Sequence, residues 1–143
     1  MKIHNILATK GTGVTTIGPN EAVRDALRSL SGLDIGGLVV VDDARNPVGI
    51  ITERDIIREA ARNENLFSQP VHELMTSDLI TATPDDDVDT VAVTMTDKRL
   101  RHMPIISEGK LVGILSIRDV VKALHDQLQG DVDTLQTQLI EGC

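Results

Sequence analysis

The chain has 143 residues, of which 41% are hydrophobic and 25% charged, and a net charge of −8 at pH 7. This length suits one compact domain or two small lobes, and the acidic balance with a single aromatic residue, Phe67, argues against nucleic-acid binding. No apolar run approaches the roughly 20 residues that span a bilayer. The start of the chain also lacks a signal-peptide core, so we expect a cytoplasmic protein with no membrane partner. The only cysteine, Cys143, excludes an internal disulfide framework and a cysteine-based metal cage.

Two segments of the chain have nearly the same sequence. Residues 49–60 read GIITERDIIREA, and 64 residues later the chain reads GILSIRDVVKAL. The similarity extends back to Pro19 and Pro84, and after each proline the apolar residues recur at i, i+3, i+4 and i+7. This spacing is typical of a helix with one buried face. An internal repeat therefore covers most of the chain.

In chain order, each copy predicts a strand, a helix, a strand, a strand and a second helix. The apolar runs GLVVVDD and HMPIISE are followed by a short turn and by VGII or VGIL, which predicts a hairpin in each copy. A lone repeat of about 60 residues is marginally stable. We therefore expect an α/β (α+β) fold in which two tandem β-α-β-β-α repeats share an apolar interior as one pseudo-twofold module. Residues 1–70 are assigned to repeat 1 and residues 71–130 to repeat 2.

The end of the chain is predicted to be a separate element. Gly130 is a predicted helix stop, and residues 131–143 are predicted to form a C-terminal tail helix. Val132, Leu135 and Leu139 form a narrow apolar stripe on it. The stripe indicates either a helix docked on its own chain or part of a subunit contact.

The repeated segments carry a polar motif where each strand passes into a helix. Thr52 and Asp55 in the first copy, and Ser116 and Asp119 in the second, have the spacing of a capping box. The same geometry suits a ligand, because a helix N-terminus attracts phosphate and a carboxylate can accept hydrogen bonds from a ribose diol. The glycines that open the repeated segments would let a flat ring approach the backbone. Spacing alone leaves both interpretations open and favours the cap.

A cluster of basic residues distinguishes the second copy from the first. Lys98, Arg99, Arg101 and His102 precede a predicted buried strand. Lys98 and Arg99 suit a helix end, where cations complement the dipole, whereas Arg101 and His102 lie at the strand entry. The first copy has glycines at the matching place. The two potential sites are therefore chemically unequal, and the Arg101 and His102 side is the one predicted to hold phosphate.

The repeat and its motifs resemble the CBS domain, named after cystathionine β-synthase. The resemblance covers roughly residues 6–128 as a tandem pair and rests on GIITERDI and GILSIRDV. Lys10-Gly11 and RLRHMPI are similar to small stand-alone bacterial CBS-pair proteins. The resemblance implies a flattened Bateman module that pairs into a disc-like homodimer. It also implies an adenosine ligand (AMP, ADP, ATP, NAD or S-adenosylmethionine) in the cleft between the repeats. No cofactor is required by the sequence, and Mg²⁺ would enter only with ATP phosphates.

The resemblance also implies which residues contact the ligand. They match its aspartates at the ribose, hydroxyls at the ribose or phosphate, basic residues at the phosphate, apolar positions near the adenine, and an N-terminal segment that closes a site. The implied ligand-binding residues are Asp119, Ser116, Arg101, His102, Met103, Pro104, Ile114, Arg118, Thr16, Lys10, Thr52 and Asp55. The sequence departs from the family at Gly36 and Gly37, which replace basic residues. It also departs at Arg118, which either adds a phosphate contact or obstructs the pocket.

The function implied by these features is regulatory and not enzymatic. The sequence has no His-x-x-x-His, Gly-x-Ser-x-Gly or Walker motif, and it predicts no metal site. We expect a signal-transduction protein that senses a nucleotide and relays its presence to a separate effector protein. The alternative is a structural or oligomerisation module that binds no ligand.

Overall fold

The structure is a computed structural model, and it describes residues 1–11 and 13–141. Within these residues the chain forms five α-helices and five strands, with two 3-10 turns, Leu66–Ser68 and Val71–Glu73, between the repeats. The helices and strands, in chain order, are α1 (Ile3–Lys10), β1 (Thr16–Ile17), α2 (Val23–Leu33), β2 (Gly37–Val41), β3 (Pro47–Thr52), α3 (Glu53–Ala60), α4 (Val88–Lys98), β4 (His102–Ser107), β5 (Lys110–Ser116) and α5 (Ile117–Glu141).

The strands form one small sheet in each repeat. In the first repeat the order is β1-β2-β3, with β1 parallel and β3 antiparallel to β2, and in the second β4 pairs antiparallel with β5. The predicted α/β (α+β) fold is thereby confirmed, with one difference. The first strand of the second repeat is reduced to a single parallel bridge between Ala82 and Ile105. Directly afterwards the Thr83 N–H donates to Asp86 Oδ2 at 2.8 Å, as the Gly18 N–H donates to Glu21 Oε2 after β1 in the first repeat.

Each repeat has its own apolar core, in place of the expected shared interior. The core of the first repeat includes Leu66 and Val71 from the connecting segment. The core of the second includes Ile3, Ile6 and Leu7 from α1. Helix α1 therefore packs on the second repeat although it precedes the first in sequence. Sequence patterns do not predict α1, because eight residues are too few to give a clear helical period.

Two glycines of the repeated segments are covered by these added segments. A Cβ on Gly49 would collide with Sδ of Met75, and a Cβ on Gly113 would lie 2.8 Å from Cδ2 of Leu7. The expectation that these glycines let a flat ligand ring approach the backbone is wrong, because the protein's own side chains fill the space. The glycines instead allow close packing: Gly113 against Leu7 of α1, and Gly49 against Met75 of the connecting segment.

Helix α5 continues through Gly130, so the predicted helix stop is wrong. A glycine inside a helix costs about 1 kcal/mol but keeps its backbone hydrogen-bonding groups, and the Thr134 hydroxyl donates to the Gly130 carbonyl at 2.9 Å. The predicted tail helix is thus the end of α5, while Gly142 and Cys143 lie outside the described residues. None of the described helices has both the length and the apolar composition needed to cross a bilayer.

Candidate functional site

Capping boxes open α3 and α5, as the sequence predicts. The Asp55 N–H donates to Thr52 Oγ1 at 3.3 Å, and the Thr52 N–H donates to Asp55 Oδ2 at 2.9 Å. The Asp119 N–H donates to Ser116 Oγ at 3.1 Å, and the Ser116 N–H donates to Asp119 Oδ2 at 2.8 Å. Each carboxylate is therefore fixed at a helix N-terminus, where the helix dipole favours negative charge. Each capping box also lines a cleft, so a cap and a ligand contact are compatible.

The first capping box lies in a cleft of about 360 Å³, which we call the Asp55 cleft. One wall comes from the first repeat, and the other comes from the segment that joins α4 to β4 in the second repeat. The charged side chains described in its lining are five cations, Arg54, Arg58, Lys98, Arg99 and Arg101, and three acids, Glu53, Asp55 and Asp78. The basic cluster of the second repeat thus faces the capping box of the first.

The second capping box lies in a cleft of about 440 Å³, which we call the Asp119 cleft. Its opposite wall comes from the end of α2 and the start of β2 in the first repeat, including Gly36 and Gly37. Apart from His102, the charged side chains that line this cleft in the described residues are three cations and three acids. They are Lys10, Arg101 and Arg118, and Asp34, Glu53 and Asp119. Both clefts fall in the size range of small-molecule sites, which starts at about 300 Å³.

The predicted ligand-binding residues are divided between the two clefts. The Asp55 cleft is lined by three of them: Thr52, Asp55 and Pro104. The Asp119 cleft is lined by five others: Lys10, Ile114, Ser116, Arg118 and Asp119. Arg101 and His102 line both. The predicted phosphate-binding residues Arg101 and His102 therefore belong to both clefts.

Two predicted residues lie outside the described lining of both clefts. Met103 is 1% exposed and belongs to the core of the second repeat. Successive side chains of a strand point to opposite faces, so Met103 faces the core while His102 and Pro104 face the clefts. Thr16 begins β1, and its neighbour Thr15 lines the Asp119 cleft instead.

Lys10, at the end of α1, forms an ion pair with the carboxylate of Asp119. Its Nζ lies 2.5 Å from Asp119 Oδ2 and donates to the Ile114 carbonyl at 2.7 Å. Burial alone would raise the pKa of Asp119, but the hydrogen bonds from Lys10 and Ser116 and the Lys10 charge together lower it. A ligand hydroxyl can reach this oxygen only in competition with Lys10.

The wall between the two clefts includes His102, which packs on the first repeat. A Cβ on Gly36 or Gly37 would lie 3.1 Å from the imidazole ring, so a larger residue at either position would push His102 back by a few tenths of an ångström. The glycines, at the positions where the second repeat has basic residues, let His102 pack closely on the first repeat. Burial lowers the pKa of His102, Lys10 and Arg101 lower it further, and Glu53 and Asp119 oppose them.

The imidazole of His102 is incompletely hydrogen-bonded. Its Nδ1 is buried and lacks a hydrogen-bond partner among the residues that the structure describes. A neutral ring tolerates this position better than a charged one, because a buried charge without a partner is far more costly than a buried neutral polar group.

A pair of equivalent residues with opposite charge distinguishes the clefts. Asp34 follows α2 and Arg99 follows α4, and both adopt the left-handed backbone conformation, with φ of 53° and 56°. Asp34 lines the Asp119 cleft and Arg99 lines the Asp55 cleft. Sequence reasoning missed Asp34, although the offset between Pro19 and Pro84 also relates Asp34 to Arg99.

Arg54 and Arg58 were also missed. Both lie on α3 and line the Asp55 cleft. Arg54 precedes Asp55 as Arg118 precedes Asp119, so the repeat itself could have pointed to it. Arg58 lies about one helical turn after Arg54. Its place in the Asp55 cleft depends on which way α3 faces, which the sequence does not show.

Comparison with known proteins agrees with this architecture. The profile of the CBS domain matches residues 9–62 and 71–126. A 17.7 kDa protein of Acidianus ambivalens is 42% identical over 126 residues, which is 87% of this chain and 74% of that protein. The mitochondrial CBS domain-containing protein CBSX3 of Arabidopsis thaliana is 34% identical over 86% of this chain, which spans 62% of its length.

Solved structures give the same result. A CBS-domain containing protein of Agrobacterium tumefaciens has a TM-score of 0.82 and 35% identity, over 85% of this chain and 92% of that one. The CBS domain pair of protein MJ0100, in complex with 5′-methylthioadenosine and S-adenosyl-L-methionine, has a TM-score of 0.80 and 28% identity, over 89% of this chain and 98% of that one. The repeat, the paired capping boxes and these matches together show that the chain belongs to the CBS domain family, as a tandem pair of the regulatory type.

Proposed function

We propose that the protein binds an adenosine nucleotide (AMP, ADP, ATP or NAD) between its two repeats, with the phosphates in the Asp55 cleft. The observation that carries this proposal is the meeting of the Asp55 capping box with the basic segment of the other repeat. Neither repeat supplies both parts by itself. A ligand that needs both would therefore hold the two repeats in one arrangement.

The charge of the Asp55 cleft supports an anionic ligand. Five cationic side chains face three acidic ones in its described lining, although the whole chain carries a net charge of −8. Hydrogen bonds from arginine and lysine to phosphate are among the strongest in proteins. Local positive charge in an acidic chain selects a small anion over a polyanionic nucleic acid, which the rest of the surface repels.

The carboxylate of Asp55 is suited to the ribose. Both hydrogen bonds from Thr52 go to Oδ2 of Asp55, so we assign Oδ1 to a ribose hydroxyl. In the Asp119 cleft the bonds from Ser116 and Lys10 also go to Oδ2, but the Lys10 ammonium there already neutralises the carboxylate charge that would attract a ribose hydroxyl. The complex of MJ0100 with two adenosine compounds supports an adenosine ligand by analogy.

The proposed activity is regulatory, without catalysis. We propose that the nucleotide shifts the population of two arrangements of the repeats, which requires different affinities for the two, and that a separate effector protein detects the change. The protein works as a cytoplasmic homodimer in this proposal. Mg²⁺ enters only with ATP phosphates, since no cluster of three potential metal ligands occurs in residues 1–11 and 13–141.

A thermal-shift screen with AMP, ADP, ATP, NAD and S-adenosylmethionine, each with and without Mg²⁺, tests this function. A ligand at one hundred times its Kd adds about 2.7 kcal/mol of stability. We expect a rise in Tm for the wild type that is lost in Asp55→Ala and kept in Asp119→Ala. The second variant is a matched control, because it removes the same kind of helix cap.

For each variant, the rise in Tm caused by the ligand is measured relative to the same variant without ligand. The stability lost with the helix cap therefore does not affect the comparison. A ligand-induced rise in Tm that is lost only in Asp119→Ala would assign the phosphate site to the Asp119 cleft instead. No shift with any compound would contradict ligand binding and leave the alternative, a structural or oligomerisation module.

A further inference from the structure

The second half of α5 exposes an apolar stripe that belongs to no core described above. The family profile ends at residue 126, and residues 127–140 are all exposed. The exposed fractions are 59% for Val121, 65% for Leu128, 46% for Val132 and 59% for Leu135. At 3.6 residues per turn these four side chains fall within roughly 60° of one another around the helix. The stripe runs from the part of α5 that covers the second repeat onto the projecting part.

A projecting helix of this kind is stabilised when a partner covers its apolar face. Isolated helices of fewer than about 12–15 residues are marginal in water, and most helical stability in proteins comes from packing an apolar face. Gly130 weakens this segment further, because glycine loses more backbone freedom than other residues do. The projecting half of α5 is therefore expected to be helical when its stripe is buried against another surface.

The charges along α5 favour antiparallel pairing with α5 of a second copy of the chain. The first half carries the exposed cations Arg118 and Lys122 on one flank of the stripe. Lys122 is the last lysine or arginine of the sequence, and the following acids include Asp131 and Asp133. A parallel pair would place these acids beside each other. An antiparallel pair centred on the stripe brings like flanks of the two helices together, so Asp133 comes beside the Arg118 and Lys122 flank of the partner helix, and the two helix dipoles oppose each other.

We propose that α5 pairs antiparallel with α5 of a second copy of this chain, centred on Leu128. In this register Leu128 meets its own counterpart and Leu135 meets Val121, so three of the four stripe positions face a stripe position of the partner. Val132 meets Leu124, which is half-buried against the core of the second repeat. The pairing uses a segment beyond the family profile and does not depend on the nucleotide.

Disulfide trapping tests the register in a Cys143→Ser background. Under mild oxidation we expect Leu128→Cys to form a covalent dimer and Val132→Cys to stay uncrosslinked, because the two copies of residue 132 lie about 12 Å apart along the antiparallel pair. Asp126→Cys, on the opposite face of α5, measures random collision. All three positions are exposed, and circular dichroism of each variant checks that the helix is kept.

A mixing experiment gives a second readout. Chains with Val121→Cys and chains with Leu135→Cys should crosslink when mixed and not when oxidised alone. Crosslinking of both Leu128→Cys and Val132→Cys would show a parallel pair and overturn the proposal. No crosslinking of Leu128→Cys above the Asp126→Cys level would overturn it as well, because the stripe would then be covered by something other than α5 of a second copy.

Discussion

The two clefts have the same scaffold and different chemistry. In both, a strand runs into a helix that begins with a capping box, and the carboxylate accepts an N–H at 2.9 Å in one and 2.8 Å in the other. They differ in what faces that carboxylate. The Asp55 cleft has a wall rich in cations, whereas the Asp119 cleft has Asp34, two glycines and a lysine already bound. A duplicated fold can therefore keep its caps and differentiate its sites through the opposite wall.

The largest expected effect comes from exchanging the charges of the equivalent residues Arg99 and Asp34. We expect Arg99→Asp to lower the affinity for ATP at least about tenfold, because a hydrogen bond to a charged group contributes about 1.5–3 kcal/mol and 1.4 kcal/mol is tenfold in Kd. Asp34→Arg should add a second, weaker phosphate site. Isothermal titration calorimetry measures both the affinity and the stoichiometry.

The matched control for this exchange is Arg45. It also adopts a left-handed conformation, with φ of 65°, but lies in the turn between β2 and β3 and outside the described lining of both clefts. Arg45→Asp makes the same change of net charge at a distance. Equal losses of affinity in Arg99→Asp and Arg45→Asp would mean that the net charge acts, and that the wall of the Asp55 cleft is not the site.

A smaller effect is expected from removing the lysine that holds Asp119. Lys10→Met should lower the free energy of unfolding at pH 7 by about 0.5–1 kcal/mol, a value reduced for solvent screening because the Lys10 side chain is 35% exposed. Since the pKa of Asp119 is lowered in the fold, the stabilisation is present above the ordinary pKa of about 4 and is lost as the pH falls below it.

Urea denaturation of the wild type and Lys10→Met at pH 7 and pH 3 measures this difference. Lys110→Met, at the exposed start of β5, is the control for removing a lysine. A difference that is as large at pH 3 as at pH 7 would assign the effect to the packing of the lysine stem rather than to the ion pair.

The left-handed residues give a prediction of opposite sign. A left-handed conformation costs L-residues about 1–2 kcal/mol, glycine little, and aspartate less than most. After the greater entropy loss of glycine is subtracted, Arg99→Gly should stabilise the protein by about 0.5–1 kcal/mol and still weaken ATP binding. Asp34→Gly should increase the stability by a smaller amount. Thermal melts without ligand measure both, and a lower Tm for Arg99→Gly would refute the prediction.

The smallest effect is expected at His102, between the clefts. Its pKa is lowered in the fold, mainly by burial, so the unfolded chain binds a proton at this residue more readily. Stability is therefore full above the ordinary pKa of about 6.5 and falls as the pH drops below it. His102→Asn should flatten the decrease in Tm between pH 7.5 and pH 5.5, whereas the exposed His125→Asn should keep it. Identical pH profiles for the two variants would exclude this role.

Much of the fold and part of the site follow from the sequence. The repeat and its apolar periods predict the elements of both copies, because helices and strands are local structures with their own spacing. The capping boxes are likewise predicted, since Thr52 and Asp55 interact across three residues. Lys10 was predicted near a site from the family resemblance, but its contact with Asp119 spans 109 residues, and no local pattern gives such a pair.

The sequence by itself determined the duplicated elements, the caps and the existence of a basic cluster beside a buried strand. Only the tertiary structure decided that this cluster faces Asp55 of the other repeat, that α1 packs on the second core, and that His102 rests on Gly36 and Gly37. The physical reason is that secondary structure depends on neighbours in the chain, whereas a cleft between repeats depends on how two apolar cores are placed. That placement brings together side chains that no sequence spacing relates.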